Sequence, residues 1–594
     1  MSAQSTVATG NIQGALTDPS GAVVAGAKIT ITNKDTGQVL RVTTSSAGTY
    51  NSGALVPGDY SVRAEATGFK TVEEGVVVKV GVVSGVNLSL EVGAANTVVT
   101  VAEQSVAVNT EQATVQGVLS KEQIENLPVN GRNFLDLAQL EPGVQIQDGA
   151  DFDPTKVGFS SISVGGRFGR TARIEVDGVD VSDETVGTTT ENIPASAIDE
   201  FQISQSTLDL SNELTSSGAV NVTTRSGSNA FHGEGFALFR DSSFSAALPT
   251  PPPPPTLESP YSRNQDGGNF GGPILKDKVF FFLDAEHTNQ NLAAPVVAAA
   301  PFTPYSGNVS SPFRETDYDA RLDVNLFKNV RMFYRFSYFD SKALATGGTV
   351  GFQPFQDKNY TRTNVVGADF TTGGFTHSFR FEYLKFINNL GDTVLGSDLP
   401  FANFPVSLNF ASFGFLTGPN FLAPQQTYQT DRQIKYDGSK LLGSHILRYG
   451  VSYNRLRGGG LFSFSAITPN VSPIGSTTEI ANAAAGPFTC PGGPLMQGSA
   501  CPLNYPVDNV TLGNGEECDT EIPAFNAPCS GTPPDNRIGL YVGDSWKIKP
   551  NLNITYGLRY VRDTGRTDSD LPGFTGTAAT ELDAVMPGLA NRVN

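Results

Sequence analysis

The stretch RMFYRFSYFD, residues 331–340, decides the fold once its two faces are assigned. In a strand, successive side chains point to opposite sides. Met332, Tyr334, Phe336 and Tyr338 then share one face, and Arg331, Phe333, Arg335 and Ser337 share the other. In a soluble sandwich the aromatic face is core and the arginine face meets water. In a transmembrane barrel the aromatic face meets lipid, and the arginines meet a wet lumen or a plug.

Other stretches repeat the pattern. HSFRFEYLKF sets Phe379, Phe381 and Tyr383 against Arg380 and Glu382, and HILRYGVSYNRLR sets Leu447, Tyr449, Val451 and Tyr453 against Arg448, Ser452 and Asn454. NLNITYGLRY and DYDARLDVNLF alternate in the same way. The connections then discriminate. Short turns fall at LKDK (275–278), FKN (327–329), TTGG (371–374), LLGS (441–444) and KPN (549–551). Long segments fall near 241–263, 287–315, 341–360, 387–428 and 458–535. Short and long alternate strictly, as in outer-membrane barrels, where one rim carries turns and the other carries loops. The aromatic face is therefore expected to meet lipid and the arginines to point inward. On that basis Phe336→Arg is expected to block assembly and Arg335→Gln to leave it nearly unchanged.

Composition agrees with a turn-rich, mainly β chain of more than one domain: 594 residues, 63 Gly, 37 Pro and 39% apolar residues. A net charge of -18 argues against a nucleic-acid partner, which requires clustered Lys and Arg. No apolar run approaches the roughly 18 to 20 residues of a membrane-spanning helix, so a membrane crossing must use a closed set of strands. The N-terminal MSAQSTVATG has neither a charged nor an apolar signal region. The Ala3-Gln4 pair resembles the residues after a signal-peptidase cut, so a true start upstream is one expectation and a cytosolic protein the other. Cys490, Cys501, Cys518 and Cys529 share one Pro/Gly-rich stretch without a C-x-x-C pair. Local disulfides 490–501 and 518–529, in an oxidising compartment, are the expected one of three pairings; free thiols are the alternative.

Along the chain, residues 8–93 read as a small sandwich of about seven strands separated by DPSG, KDTG, SSAG and VPGD. Residues 94–117 read as a linker. Residues 118–230 turn mixed α/β: SKEQIENLP opens a helix with Ser120 as N-cap and Gln123 completing a capping box, and GRNFLDLAQLEPG is a short helix stopped by Pro142 and Gly143. RIEVDGVDV and SGAVNVTTRSGS read as strands. Residues 231–594 are the alternating barrel strands.

These residues carry a family resemblance. DPSGAVVAGAKITITNKDTGQVLRVTTSSAGTYNSGALVPGDYSVRAEATGFK resembles the carboxypeptidase regulatory-like domain, a carbohydrate-binding-like sandwich. LPVNGRNFLDLAQLEPGV, VGGRFGRTARIEVDGVDV and SGAVNVTTRSGSNAFHGEGF resemble a plug and its exit into a first barrel strand. NQDGGNFGGPILKDKVFFFLDAEH and YVGDSWKIKPNLNITYGLRY resemble barrel hairpins of Oar-like TonB-dependent outer-membrane receptors. The resemblance implies a mainly β chain in the bacterial outer membrane: a periplasmic sandwich, an α/β plug and a transmembrane antiparallel barrel. It also implies TonB as energy-coupling partner, an extracellular ligand such as a glycan or metal chelate, and no cofactor. The TonB box it implies falls on Thr97, Val98, Val99, Thr100 and Val101, an extended segment suited to strand addition; finishing the sandwich, or a passive linker, is the alternative. The family has twenty-two strands against about eleven here, and LANRVN lacks a terminal aromatic, so a fragment with two open edges is expected.

Chemistry for an enzyme is missing from the motifs. None of His232, His287, His377 and His445 begins H-x-x-E or H-E-x-x-H, and neither G-x-S-x-G nor a Gly-Lys dipeptide occurs. The histidines are expected to be structural, with His377 and His445 at a membrane interface. Pro251–Pro255 reads as stiff polyproline in an external loop. Arg167 and Arg170, beside Gly165-Gly166, are the candidate plug contacts for an anionic ligand, with ordinary surface charge as the alternative. Asp177, Asp180 and Asp183 lack the later glutamate of a calcium loop and read as a solvated turn. The alternative to transport is a surface adhesin anchored by the barrel.

Overall fold

The computed structural model describes residues 9–564 apart from 94–97, 102–115, 128–130, 206–209, 213–214, 216, 245–259, 301, 328, 346–350, 411–413, 463–467, 474–488, 491–492, 495–506, 512–533 and 550–551. Alternating burial builds the N-terminal sandwich. In strand Gly58–Glu65, Tyr60, Val62 and Ala64 turn inward, facing Ile12, Leu16, Tyr50 and Leu88 of the other sheet. The Tyr50 hydroxyl donates to the Val86 carbonyl at 2.7 Å, which satisfies the one polar atom that ring buries. Strand Val98–Val101, in the stretch read as linker, pairs parallel with the edge strand Thr71–Val78, as the alternative of a strand that finishes the sandwich requires. It becomes the outermost of five strands.

The plug centres on a five-stranded sheet that includes Ile198–Ser204, Ala219–Thr224 and Arg173–Val176. Helix Lys121–Asn126 begins at Ser120, whose N–H donates to Gln123 Oε1 at 3.0 Å, as the capping box requires. The GRNFLDLAQLEPG helix is a 3-10 helix, Phe134–Leu140, with Asn133 capping the Leu135 N–H at 3.0 Å. Phe134, Phe159 and Phe201 form the plug core, and barrel residues Phe282, Phe339, Leu384 and Phe386 join it.

The remaining strands form an antiparallel meander of eleven, from His232–Asp241 to Leu552–Asp563, with Gly307–Ser310 pairing onto Val279–Val296. The sheet is not closed among the described residues. Strand Val330–Ala345 alternates as expected: Arg331, Phe333, Arg335 and Ser337 are buried, while Met332 and Tyr334 are exposed. The short turns are tight hairpins. Gly373 and Gly374 both take positive φ (54° and 76°) between the paired residues Thr372 and Phe375, a geometry whose twist suits a two-residue hairpin. The sandwich sits at this short-turn rim, where the Asn229 N–H donates to the Asp35 carbonyl at 3.0 Å. Tyr60 and Leu40 line one cleft there with Arg331 and Phe370.

The opposite rim differs from the irregular loops expected. Strands Ser407–Phe410, Phe415–Thr417, Asn470–Pro473 and Val507–Thr511 form a separate small sheet. Phe302, Phe410 and Phe415 pack beneath it, with Phe302 and Phe415 stacked at 4.8 Å. Loops this long and rich in Phe bury enough apolar surface to fold on one another.

Candidate functional site: the plug–barrel interface

The site begins with a hairpin turn. RIEVDGVDV folds as strands Arg173–Val176 and Val179–Asp180, joined through Asp177 (φ 52°) and Gly178 (φ 87°). Asp-Gly is the pair that tolerates such a turn. The turn presses the Asp177 carboxylate against the wall. It accepts from Thr224 Oγ1 at 2.7 Å and Arg321 Nη1 at 2.9 Å, with Arg335 Nε at 3.2 Å. Arg335 is fully buried, and its other nitrogens lie 3.7 Å from Glu191 Oε1 and 3.6 Å from Asp319 Oδ2. Arg321 and Arg380 both lie against the Phe333 ring, at 4.3 and 5.1 Å. The Arg380 Nε–H donates to the Asp177 carbonyl at 3.1 Å.

Further pairs surround this hub. Arg173 meets Asp180 at 2.8 Å and Glu184 at 2.6 Å, and Arg537 of the wall also reaches Glu184 at 3.0 Å. Lys435 meets Glu175 at 3.0 Å, Lys156 meets Asp183 at 2.6 Å, and Arg132 meets Glu286 at 2.8 Å. Burial pushes the Asp177 carboxyl up, but Arg321 and Arg335 outweigh it and hold the group below the usual carboxylate range. Glu191 goes the other way: burial raises it beyond what Arg335 and Thr363 recover.

Asp177, Asp180 and Asp183 are therefore not a solvated turn. All three are buried and paired with arginine or lysine. Their spacing showed only carboxylates near a turn; of the cations that pair with them, Arg173 and Lys156 are near in sequence, and Arg321, Arg335 and Arg537 come from the distant strand wall. The inward arginines of 331–340 were legible, but their partners were not. Arg167 and Arg170 are exposed and apart from this hub, with Arg170 against the Phe168 ring at 5.6 Å. Val98–Val101 lies at the sandwich edge, while Thr97 falls outside the described residues. So do Cys501, Cys518, Cys529, the Cys490 side chain and 251–255. His377 Nδ1 lies 2.9 Å from the Tyr436 hydroxyl, and His445 stacks on Trp546 at 5.2 Å, both near short turns. No group of three or more His, Cys, Asp or Glu among the described residues is arranged to hold a metal ion.

The strand wall and its connections match one description. The family described as outer membrane beta barrel domain matches residues 223–310 and 291–577, more than half of the chain. The chain belongs to the outer membrane beta barrel domain family. It is an outer-membrane protein, and residues 11–91 match the carboxypeptidase regulatory-like domain. A relative is the TonB-dependent transporter Oar of Myxococcus xanthus, 26% identical over 254 residues, covering 41% of this chain and 23% of that protein. The outer membrane transporter YddB from Escherichia coli shares the fold at 11% identity and a TM-score of 0.50, covering 75% of this chain and 56% of that one. The siderophore receptor PirA from Acinetobacter baumannii aligns at 14% identity and a TM-score of 0.48, covering 77% and 58%. The chain thus spans less than a quarter of the curated relative it matches and just over half of these solved structures.

Proposed function

We propose that this outer membrane beta barrel protein is a TonB-dependent receptor that takes up a bulky extracellular solute, such as a glycan or metal chelate, and is not an enzyme. The observation that carries the reading is the plug lodged against the wall through buried ion pairs centred on Arg335. A buried pair offsets little more than the desolvation of its own charges. Ions released into a water-filled passage regain hydration, so such a plug is firm at rest and movable under pull. An apolar interface of the same area would resist exposure to water throughout its travel. The relative in Myxococcus xanthus, a TonB-dependent transporter by name, supports the same reading.

In this reading the short-turn rim and the sandwich face the periplasm, and the aromatic-cored cap faces outside. The coupling segment is 97–101. Its strand, Val98–Val101, pairs with the sandwich on one side and is the terminal strand of its sheet. An open edge is what β-strand addition by TonB requires. Val99→Pro removes a backbone donor and fixes φ. In cells given labelled glycans and ferric chelates, that variant should still bind at the surface but lose uptake. Undiminished uptake would move coupling elsewhere in the chain.

A further inference from the structure

We propose that the outward face of the strand wall carries a ring of cations built to hold phosphate-bearing lipid headgroups of the outer leaflet. This rests on the orientation given above. The residues are Lys342, Lys358, Arg362, Lys385, Arg432 and Arg455. Each lies on the lipid-facing parity of its strand. Arg362 pairs across the sheet with Tyr338 and Lys385, Arg432 with Tyr383 and Arg455, and Lys342 with Lys358. Directly opposed residues of an antiparallel pair share a face.

Four of the six share one height, while Lys358, fifteen residues before Gly373, and its partner Lys342 stand four residues higher. Arg362 lies eleven residues before Gly373, Lys385 eleven after Gly374, Arg432 eleven before Gly443 and Arg455 eleven after Ser444. At about 3.4 Å per residue and a tilt of about 40°, that is roughly 28 Å above the turn rim, the far edge of an apolar band about 25 Å tall. Two residues below stand Tyr338, Tyr383 and Tyr453, in the position of an interfacial aromatic girdle. Arg362 lies over the Tyr360 ring at 5.0 Å and Arg432 near the Tyr383 ring at 5.9 Å. The cations are therefore at headgroup depth rather than free in water.

Charge also runs against the chain. With 58 acids to 40 bases overall, random placement would favour carboxylates here. Among outward positions at or above this height on strands Val330–Ala345 to His445–Phe462, Asp340 is the one acid. Lys358 lies in the field of Asp340, whereas no ion pair joins Arg362, Lys385, Arg432 or Arg455 to a carboxylate among the described residues. Four cations held in register, without a carboxylate partner among the described residues and interleaved with tyrosine, fit phosphate monoesters on a lipid better than a zwitterionic headgroup.

The test uses the full chain in detergent, with fluorescent bis-phosphorylated lipid A and its dephosphorylated form as probes. Preferential binding of the phosphorylated probe is expected, weakening as salt rises. Arg362→Gln/Lys385→Gln/Arg432→Gln should reduce that affinity on the order of a hundredfold, about fivefold per surface cation. The dephosphorylated probe should be unaffected. A variant with Arg362→Lys and Arg432→Lys should retain most of the affinity, which separates lost charge from lost folding. Equal affinity for the two probes, salt-independent binding by the unmodified protein, or full displacement by millimolar inorganic phosphate would overturn the proposal. A nitroxide at Tyr334→Cys checks the orientation separately: access to water but not to lipid there would sink the facing and the proposal together, whereas lipid access with failed binding sinks the proposal alone.

Discussion

At the scale of the residue, adjacent positions 335 and 336 have opposite duties. Phe336 faces outward beside Ala320 and Asn364. Phe336→Arg would place a charge near mid-bilayer, at about 2–4 kcal/mol, and should reduce heat-stable assembled protein on semi-native gels. Arg335→Gln is expected to leave assembly nearly unchanged, and its cost falls on the plug instead. Arg335 is buried among Asp177, Glu191 and Asp319. Removing one partner of a buried pair costs about 3–5 kcal/mol, because the others are left uncompensated. Barrel assembly should survive, but hydrogen-exchange protection of the 173–180 hairpin should fall sharply. Unchanged protection there would remove Arg335 from its place as the hub.

At the scale of the element, the external cap is the part that alternation could not describe. Phe415 is fully buried, packed on Phe302 at 4.8 Å and Tyr305 at 5.4 Å. Phe415→Ala should cost about 3–5 kcal/mol, all of it within the cap. Limited proteolysis should then cut within 387–428, while the strands on either side stay protected. Cleavage spreading into the strand wall would show the cap to be continuous with the barrel in stability. The periodicity of strands was legible because lipid and plug impose period 2 on every residue. The cap obeys no such rule: its Phe residues are brought together from three separate connections.

At the scale of the whole molecule, Glu200 links plug to sandwich. Its Oε2 accepts from the Val80 N–H across the junction. Burial, reinforced by Asp199, pushes its carboxyl from an ordinary 4.5 up to about 8, against the smaller pull of that N–H. A raised carboxyl pKa means the folded junction holds its proton more tightly than the open one. Its contribution to stability is complete below about 4.5 and is lost as pH rises through about 8. Thermal melts of the full chain between pH 5 and pH 9 should show the sandwich–plug transition weakening with pH, and Glu200→Gln should flatten that slope. An equal slope in the variant would place the titrating group elsewhere.

What the sequence by itself determined is what repeats locally. Alternation at 331–340 and its sister stretches set the strands and their faces, short turns against long loops set the two rims, and Asp177-Gly178 marked a hairpin before any partner was visible. Each depends on neighbours within a few residues, where φ/ψ and period leave little choice. Tertiary structure alone decided the rest. It placed Asp177 with Arg321 and Arg335, folded the long loops into a Phe-cored cap, and made an edge strand of Val98–Val101. It also brought Arg362, Lys385, Arg432 and Arg455 to one height. Partners that far apart in sequence are chosen by register and burial, and one residue of slip in any strand would have turned its charged set to the opposite face.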